Sequence, residues 1–415
     1  MPHEPAQRVV ITGMGVVSPC GHDLETLFGN LTAARSGVSR LNGTDGSADL
    51  SVVAAQVSAL PSPRTVDRQF QQLDRATQFA LVAADDAIAD AKLELSDDAA
   101  LSAGVYWGTG LGGATSIEEG YRAIFATERK RLRPTSVVLG MSNAAAAHVS
   151  IAHRLRGPQL NISTACSSSA SAIGEAYRAI RNGDADVIVV GGSEALLTFG
   201  NLSAWLALQA LARTDATDPS RTCKPFSADR TGLVLGEGAA VLVLESEEHA
   251  ATRGARVYAA VTGYGNAGDG SNMSRPDASG QVRAMKKAIG DAGIDATAIG
   301  YINAHGTATP IGDVVESAAI RQVFGAHADA LCVSSTKALH GHLLGGAGAL
   351  ETVVSALALK HGIVPPTAHL DRPDPQCDLD YVPGAARHLP LRAVMSNSFG
   401  FGGMNAVLIL ESLDA

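Results

Sequence analysis

Cys166 has the sequence context that most favours nucleophilic chemistry. It lies between an apolar run at residues 160–164, which predicts a buried strand, and a run at 170–180 with helical periodicity. A thiol at the start of a helix faces the positive end of the helix dipole, which favours the thiolate, the form that attacks carbonyl carbon. A single cysteine is more often a small buried hydrophobe, so this assignment needs support from other residues.

Two histidines supply that support. His305 lies in INAHGTATP (302–310) and His342 in TKALHGHLLG (336–345), and each follows a predicted strand. Side chains at the ends of strands in α/β proteins converge on ligand sites. One histidine alone is usually structural, but a cysteine and two histidines in equivalent positions indicate a single catalytic site.

A third segment with chemical potential is NSFGFGGMN (397–405), in which three glycines lie next to Phe399 and Phe401. This composition predicts a mobile loop that carries two aromatic rings. Its backbone N–H groups can approach a bound oxyanion closely because glycines leave them uncovered. A glycine turn with two buried aromatic rings is the structural alternative.

Two glycine-rich turns, GMGVVS (13–18) and GTGLGG (108–113), follow predicted strands and invite comparison with nucleotide-binding loops. The first lacks the third glycine of a dinucleotide fingerprint, and no acidic residue closes a nearby strand to bind a ribose. No GxxxxGK sequence followed by serine or threonine occurs. These turns therefore indicate tight packing in a sheet rather than a nucleotide site.

Strand-like and helix-like runs alternate along the chain and predict an α/β protein with mixed sheets and helices on their faces. Strands are predicted at residues 9–12, 103–107, 160–164, 186–190, 239–244, 257–262, 299–303, 331–334, 393–397 and 406–410. Helices are predicted at residues 76–91, 170–180, 281–292, 313–324 and 348–360.

Two short sequences recur in the same order, which predicts an internal duplication. Residues 10–15 are echoed by 260–265, and residues 240–246 are echoed by 406–412. One echo of an apolar strand arises easily by chance, but two in matching order favour a repeated architecture.

The expected halves are residues 1–250 and 257–415 of the 415-residue chain, which is long enough to bury a large core. The first half carries Cys166 and an insertion at 111–147. The second half carries both histidines and the glycine–phenylalanine loop.

Composition and charge exclude several classes of protein. The formal net charge of -9 argues against nucleic-acid binding, which needs a basic face. The 5 cysteines are scattered without a CxxC pair, so neither a disulfide framework nor a metal site is expected. No run approaches the roughly 18 apolar residues that span a membrane. We therefore expect a soluble cytoplasmic protein.

Over nearly its whole length the chain resembles the elongating β-ketoacyl-acyl carrier protein synthases of the thiolase superfamily, most closely the synthase II type. The matching segments are TACSSS (164–169), DADVIVVGGSEA (184–195), KPFSADRTGLVLGEGAAVLVLE (224–245), NAHGTATPIGD (303–313), STKALHGHLLGGAGALE (335–351) and NSFGFGGMN (397–405). The resemblance implies a thiolase-like, duplicated five-layer αβαβα fold that works as a homodimer.

The same resemblance implies roles for individual residues. Cys166 matches the nucleophile that accepts an acyl chain from acyl carrier protein. His305 and His342 match the pair that polarises the malonyl thioester as carbon dioxide leaves, acting as neutral N–H donors rather than general bases. Lys337 and Glu351 match a charged pair that organises the histidines.

Other matched positions concern substrate contacts. The backbone N–H groups of Cys166 and Phe401 would form the oxyanion hole, and Thr307 and Thr309 would hydrogen-bond the phosphopantetheine arm. Phe401, together with Phe399, matches the gate between acylation and condensation. No metal and no dissociable cofactor are implied, because the substrates arrive on the phosphopantetheine arm of acyl carrier protein.

The acyl pocket departs from the family pattern. Leu111 and Trp205 align with residues that line the acyl tunnel, and Leu111 is a candidate chain-length gate. Trp205 replaces a smaller aromatic ring, so its bulk is expected to shorten or redirect the tunnel. Met404 replaces a small hydroxyl residue, and His340 occupies a position without a family role.

The carrier protein is acidic, so its docking site should be basic although the whole chain is negative. A concentrated basic run meets this requirement, with Arg64, Arg68 and Arg75 as additional candidates. The run consists of Arg129, Lys130, Arg131 and Arg133. The structural alternative is a solvated charge cluster.

Fatty-acid elongation is the first expected function. A ketosynthase of a type II polyketide or polyene pathway, alone or paired with a chain-length-factor subunit, is the main alternative. A non-catalytic partner subunit would usually lack the cysteine, and a cysteine hydrolase does not need two histidines in a malonyl site. A biosynthetic thiolase would carry a second cysteine in the C-terminal glycine loop, and a starter-type synthase would have asparagine in place of His342. Preferred chain length and saturation stay open.

Overall fold

The computed structural model describes residues 7–41, 50–64, 70–126 and 131–413. Ten strands form one mixed sheet at its centre, in the order β10-β9-β13-β14-β8-β1-β7-β6-β4-β5. They are β1 (Val9–Val17), β4 (Gly104–Gly108), β5 (Gln159–Ile162), β6 (Val187–Glu194), β7 (Gly238–Ser246), β8 (Ala259–Gly268), β9 (Ile299–Asn303), β10 (Cys332–Ser334), β13 (Ala393–Gly400) and β14 (Met404–Glu411). Two minor pairs are β2 (Val38–Arg40) with β3 (Val53–Ala55), and β11 (Ile363–Val364) with β12 (Arg387–His388).

Helices connect these strands and cover the sheet. They are α1 (Leu24–Thr32), α2 (Arg75–Ala91), α3 (Ala114–Phe125), α4 (Ser136–Gly140), α5 (Ala144–His153), α6 (Ser168–Arg181), α7 (Phe199–Ala207), α8 (Glu247–Thr252), α9 (Ala278–Ala292), α10 (Gly312–Phe324), α11 (Lys337–His340) and α12 (Ala347–His361). Within the described residues no helix combines the length and apolarity needed to cross a bilayer.

Each half of the chain contributes five strands to one side of the large sheet. The two sides meet where β1 pairs antiparallel with β8, over Val9–Ile11 and Ala259–Val261. Both strands belong to the Thr-Gly-x-Gly echo in the sequence. The arrangement follows from the repeat, because each half begins with a strand that lies at the centre of the sheet.

The helices form three layers around the two halves of the sheet. Helices α2 and α5 pack together on the first half, and α9 and α10 pack together on the second. Helices α6 and α12 contact each other and strands from both halves, so they form the central layer. The sequence of layers is therefore α, β, α, β, α, as the predicted fold class requires.

Small residues allow the two central helices to approach closely. A Cβ atom at Gly348 would lie 2.7 Å from the Cβ of Ala170, which is closer than real side chains come. The hydroxyl of Ser169 accepts a hydrogen bond from the backbone N–H of Ala349 at 2.9 Å, which joins the start of α6 to the start of α12. This contact brings the two helix starts, and the residues just before them, to one place.

Two predictions about elements near the chemistry were wrong. The run at 160–164 was predicted to be a buried strand, but β5 lies at the edge of the sheet and Leu160 is 42% exposed. The prediction failed because periodicity does not reveal a strand's place in a sheet. The segment 397–405 is mostly strand rather than a mobile loop, since β13 and β14 pair as a hairpin from Gly400 and Met404 onward. The turn itself contains Gly402 and Gly403, both with positive φ.

Candidate active site

A cavity of 370 Å³ contains the three residues that the sequence singled out for chemistry. The Sγ atom of Cys166 and one ring nitrogen each of His305 and His342 lie within 4.8 Å of one another. All three side chains are buried. The nucleophile comes from the first half of the chain and the histidines come from the second, so the site forms where the halves meet.

Cys166 lies in a tight turn, residues 165–167, that leads directly into α6. Ala165 before it has φ +53°, a left-handed conformation that a residue with a side chain adopts only when the surroundings hold it. The end of β13 packs closely against this turn, since a Cβ at Gly400 would lie 3.3 Å from the Cys166 nitrogen. The thiol is thereby aimed into the cavity by a strained backbone.

The expectation that the helix start alone favours the Cys166 thiolate was wrong. Burial raises the pKa of Cys166 to about 11, although a hydrogen bond from the backbone N–H of Phe401 and the charge of Lys337 lower it. The cost of burying a charge exceeds the help from the helix end and these donors. Burial therefore favours the neutral thiol of Cys166 over the thiolate in the free protein.

His305 follows β9, and both its backbone N–H and its backbone carbonyl are hydrogen-bonded. Its N–H donates to Glu316 at 2.9 Å, and its carbonyl accepts from the Lys337 ammonium at 2.6 Å. The ring lies edge-on to that of His342, with 5.3 Å between ring centroids, and 6.0 Å from the ring of Phe399. Little freedom remains for the ring to leave the cavity.

His342 follows the short helix α11, and its backbone pairs with residues 234–236 through its N–H at 2.7 Å and its carbonyl at 2.9 Å. The Nδ1 atom of its ring accepts a hydrogen bond from the N–H of Leu344 at 3.2 Å. The ring proton is therefore on Nε2, which has no partner within the described residues. This Nε2–H group is available to a substrate oxygen.

Both active-site histidines are neutral near pH 7. Burial lowers the pKa of His305 and of His342 well below the ordinary value, and the positive charge of Lys337 lowers both further. A neutral imidazole donates one N–H hydrogen bond without carrying a charge. This protonation state matches the role of hydrogen-bond donor that the sequence predicted.

Lys337 and Glu351 form a buried ion pair behind the histidines. Lys337, at the start of α11, also donates to the His305 carbonyl, so one ammonium joins the two histidine segments. Burial raises the pKa of Glu351 and the ammonium lowers it. Because an unpaired buried charge is costly, Glu351 keeps the Lys337 ammonium at a position from which its charge acts on both histidines.

Aromatic residues also line the cavity. Phe399 lies on β13, Phe401 lies in the turn, and the ring of Trp205 on α7 stacks on that of Phe401 with 5.9 Å between centroids. Thr307 and Thr309 also line the cavity, and their hydroxyl oxygens are 3.2 Å apart.

Some residues from the sequence analysis lie away from the cavity. Leu111 is 54% exposed and lines a surface groove with Ile117 and Phe125. Met404 is 45% exposed on β14. His340 is buried, and its Nε2 atom contacts the Thr336 hydroxyl at 2.9 Å, which is a structural bond.

The basic residues considered for docking differ in their surroundings. Arg131 and Arg133 are exposed, whereas Arg64 is paired with Asp86. Arg75 was wrongly included, because it is bonded to the buried carboxylate of Glu237 and to the carbonyl of Val57. The remaining candidates lie outside the described residues and are Arg68, Arg129 and Lys130.

Sequence reasoning missed two buried glutamates that organise the site. Glu316 on α10 accepts hydrogen bonds from the N–H groups of His305 and Gly306. Glu194, which ends β6, accepts from two separate turns near the cavity. The sequence did contain a signal for Glu194, which is a carboxylate at the end of an otherwise apolar strand. A carboxylate is retained in a buried position only where several hydrogen-bond donors surround it.

The cysteine and the two histidines are also the one group in the described residues spaced closely enough to hold a metal ion. All five cysteines are free and buried, so no disulfide competes for the thiol. The prediction that the site works without a metal stays a prediction.

Comparison with protein families agrees with this geometry. Residues 6–250 match the model for the beta-ketoacyl synthase, N-terminal domain, and residues 258–371 match that for the C-terminal domain. The chain is 42% identical over 408 residues to a 3-oxoacyl-[acyl-carrier-protein] synthase 2 of Coxiella burnetii, covering 98% of each. It is 40% identical over 412 residues to the enzyme of that name from Staphylococcus aureus, covering 99% of each.

Solved ketosynthases share the fold. A beta-ketoacyl synthase from Burkholderia phymatum aligns with a TM-score of 0.91 at 37% identity, covering 98% of this chain and 100% of the other. A type II PKS ketosynthase in complex with its acyl-carrier protein aligns with a TM-score of 0.91 at 33% identity, covering 99% and 100%. The predictions of a ketosynthase and of its thiolase-like fold are confirmed, and the chain belongs to the beta-ketoacyl synthase family.

Proposed function

We propose that this protein elongates acyl chains by decarboxylative Claisen condensation with malonyl-acyl carrier protein, in fatty-acid synthesis. The observation that carries the proposal is the buried group of one cysteine and two neutral histidines in one cavity. A nucleophile holds one substrate, and two N–H donors stabilise negative charge on the other.

In the first half-reaction the Cys166 sulfur attacks the carbonyl carbon of an acyl thioester on the carrier. The thiol proton is transferred to the departing sulfur of the phosphopantetheine arm, so a new thioester forms as the old one breaks. The N–H groups of Cys166 and Phe401 would bind the transient oxyanion. The hydrogen bond between the Phe401 N–H and the Cys166 sulfur supports this role, because it places a donor beside the reacting atoms.

In the second half-reaction malonyl carrier protein enters and its carboxylate leaves as carbon dioxide. The electron pair of the broken carbon–carbon bond passes to the α-carbon and the thioester oxygen. His305 and His342 donate N–H hydrogen bonds to that oxygen. The α-carbon then attacks the acyl group on Cys166, and the sulfur departs and regains a proton, which yields β-ketoacyl carrier protein.

Thr307 and Thr309 support binding of the phosphopantetheine arm, since both residues line the cavity that contains Cys166. An extended amide-bearing arm needs such donors and acceptors along its path. The proposed reaction uses no dissociable cofactor, because the carrier delivers both substrates.

The experiment that tests the function is incubation with malonyl carrier protein and acyl carrier proteins of graded length and unsaturation. Release of carbon dioxide together with a product two carbons longer than the primer is expected. Saturated primers should be used best if the pathway is fatty-acid elongation. Absence of elongation with every primer would contradict the proposal. Elongation confined to polyketide or polyene primers would instead favour the alternative, which the similarity to a type II PKS ketosynthase supports.

The acyl carrier protein is proposed to dock beside the insertion of the first half. Arg131 and Arg133 are exposed there, and acidic partners are recognised by such charges. A relative solved with its acyl-carrier protein supports a carrier as partner.

A homodimer is proposed from the open side of the sheet. Strand β5 forms an edge whose outer side has no strand partner among the described residues, and such edges pair readily. Exposed apolar side chains lie in the adjoining insertion, and several line one groove. They include Leu111, Ile117, Tyr121, Phe125, Val137 and Val138.

Leu160→Lys should weaken that dimer. Pairing of two edge strands would remove this charge from water, which is costly. The mass measured in solution should therefore fall from that of a dimer toward that of a single 42.5 kDa chain. Leu413→Lys, at a leucine that is 37% exposed near the C-terminus, is the control and should not dissociate. Equal behaviour of both variants would contradict the proposed interface. A wild-type monomer that becomes active with a ketosynthase-like partner would favour a heterodimer.

Trp205→Phe should move the preferred primer toward longer chains. The indole of Trp205 lines the cavity and stacks on Phe401. A smaller ring at this position would leave room for further methylenes of the acyl chain. The ratio of kcat/KM for long over short primers should rise by roughly tenfold, the effect of one or two methylenes in an apolar pocket. Leu206→Ala, on the same helix but outside the cavity lining, is the control. An unchanged ratio would remove Trp205 from the determinants of chain length.

A further inference from the structure

Glu194 is a wholly buried carboxylate that accepts four hydrogen bonds beside the active site. One oxygen accepts from the Thr109 hydroxyl at 3.1 Å and from the Leu111 N–H at 3.2 Å. The other accepts from the Gly110 N–H at 2.6 Å and from the Gly345 N–H at 3.1 Å. Every donor except that of Gly345 comes from the turn at 109–111.

The carboxylate thus joins two turns that are far apart in sequence. The first is residues 109–111, directly after β4, and the second is residues 344–346, directly after His342. The turns are in direct contact, since a Cβ at Gly345 would lie 2.3 Å from the Gly110 nitrogen. Glycine is required at this approach because no side chain fits between the turns.

The second turn determines how His342 is held. Leu344 donates its N–H to Nδ1 of His342, and its side chain packs in the apolar cluster that includes Cys166. The backbone of Leu344 has φ +47°, a left-handed conformation that is unfavourable for leucine and persists only when neighbouring bonds fix it. The Gly345 N–H bond to Glu194 is the next bond along this strained turn.

We propose that Glu194 is a positioning residue for decarboxylation. It fixes the turn after His342 against the turn at 109–111, and so keeps the Leu344 N–H on Nδ1 and the His342 proton on Nε2. This inference rests on the proposed function, because it concerns the donor that stabilises the malonyl enolate. Glu194 acts through His342 and does not touch substrate.

Replacement by glutamine tests this role with almost no change of shape. A carboxylate offers two acceptor oxygens to four donors, whereas an amide offers one oxygen and an NH₂ group that is itself a donor. The Thr109 hydroxyl can turn to accept from the NH₂ group, but at least one backbone N–H around residue 194 would then face another donor. Such mispairing in a buried site costs on the order of a factor of ten or more.

The test measures two partial reactions of the full-length protein. Acylation of Cys166 is followed by intact mass, and release of carbon dioxide is followed with malonyl carrier protein. Glu194→Gln should release carbon dioxide at roughly one tenth of the wild-type rate or slower, and should acylate Cys166 within about twofold of wild type. Glu194→Asp, which keeps the charge but is shorter, should be affected less.

Glu245→Gln is the matched control. Glu245 is equally buried, but it lies at the opposite end of the β6–β7 pair, where it bonds Thr12 and Arg253. The ratio of the two rates should stay at the wild-type value in this variant. A loss of both reactions in equal proportion in Glu194→Gln, or no loss of either, would overturn the positioning role. If that variant does not fold, Glu194→Asp is judged by the same ratio.

The failure of this inference differs from failure of the proposed function. Wild-type protein that releases no carbon dioxide from malonyl carrier protein would refute the function itself. Active wild-type protein together with an unchanged rate ratio in the Glu194 variants would refute only the role of Glu194.

Discussion

Cys166→Ala is expected to abolish formation of the acyl-enzyme. The sulfur is the atom that accepts the chain, and no other cysteine in the described residues lines the cavity. Intact mass after incubation with acyl carrier protein should show no adduct. Chain elongation should fall by roughly three orders of magnitude or more, as when other covalent nucleophiles are removed.

Cys223→Ala provides the control for this prediction. Cys223 is also completely buried, and burial raises its pKa to about 12, but it packs in a separate apolar cluster with Val38 and Val234. This variant should acylate like the wild type. An adduct that survives in Cys166→Ala and disappears in Cys223→Ala would reverse the assignment of the nucleophile.

The second large effect is expected for the histidines. His305→Ala and His342→Ala should each remove one N–H donor to the thioester oxygen, and release of carbon dioxide should fall by about 10²–10³-fold. Acylation of Cys166 should continue, since the proposed oxyanion hole for that step uses backbone N–H groups. The two steps are separated by measuring the acyl adduct and the carbon dioxide in the same sample.

His340→Thr distinguishes a specific loss from general damage to this segment. His340 lies two residues from His342 and is also buried, but its ring bonds Thr336 and does not line the cavity. Burial lowers its pKa to about 3, so it is neutral as well. Decarboxylation should remain within about threefold of wild type. Normal decarboxylation in both cavity variants, or equal loss in the control, would contradict the role of the pair.

The sequence predicted the elements well where their pattern was local. The strand at 299–303 has the bounds that its apolar run indicated, and the ends of α2, α6 and α12 lie within two residues of their predicted positions. These runs carry their own periodicity and have clear end signals.

Errors arose where tertiary contacts decide. The glycines of 397–405 suggested a loop, but pairing with β14 satisfies the backbone of residues 398–400 and extends the strand. The apolar run of β5 gave no indication that it lies at an edge. The pKa of Cys166 was misjudged for the same reason, because the cost of burial depends on residues distant in sequence.

The candidate site was predicted by residue type and motif, but its supports were not. Cys166, His305 and His342 stood out because each interrupts a pattern at a strand end. Glu194 and Glu316 did not stand out as site residues, because their importance lies in backbone donors that only the folded chain brings to them. Buried carboxylates at the ends of regular elements therefore merit attention in related sequences.

The two halves of the chain contribute different residues to the cavity. Trp205 and Cys166 belong to the first half, whereas Phe399, Phe401 and both enolate-stabilising histidines belong to the second. Chain-length preference can therefore be re-engineered by exchanging α7, which carries Trp205, while Glu194 and both histidines are kept. A library of such exchanges would vary the length of the product and keep its chemistry.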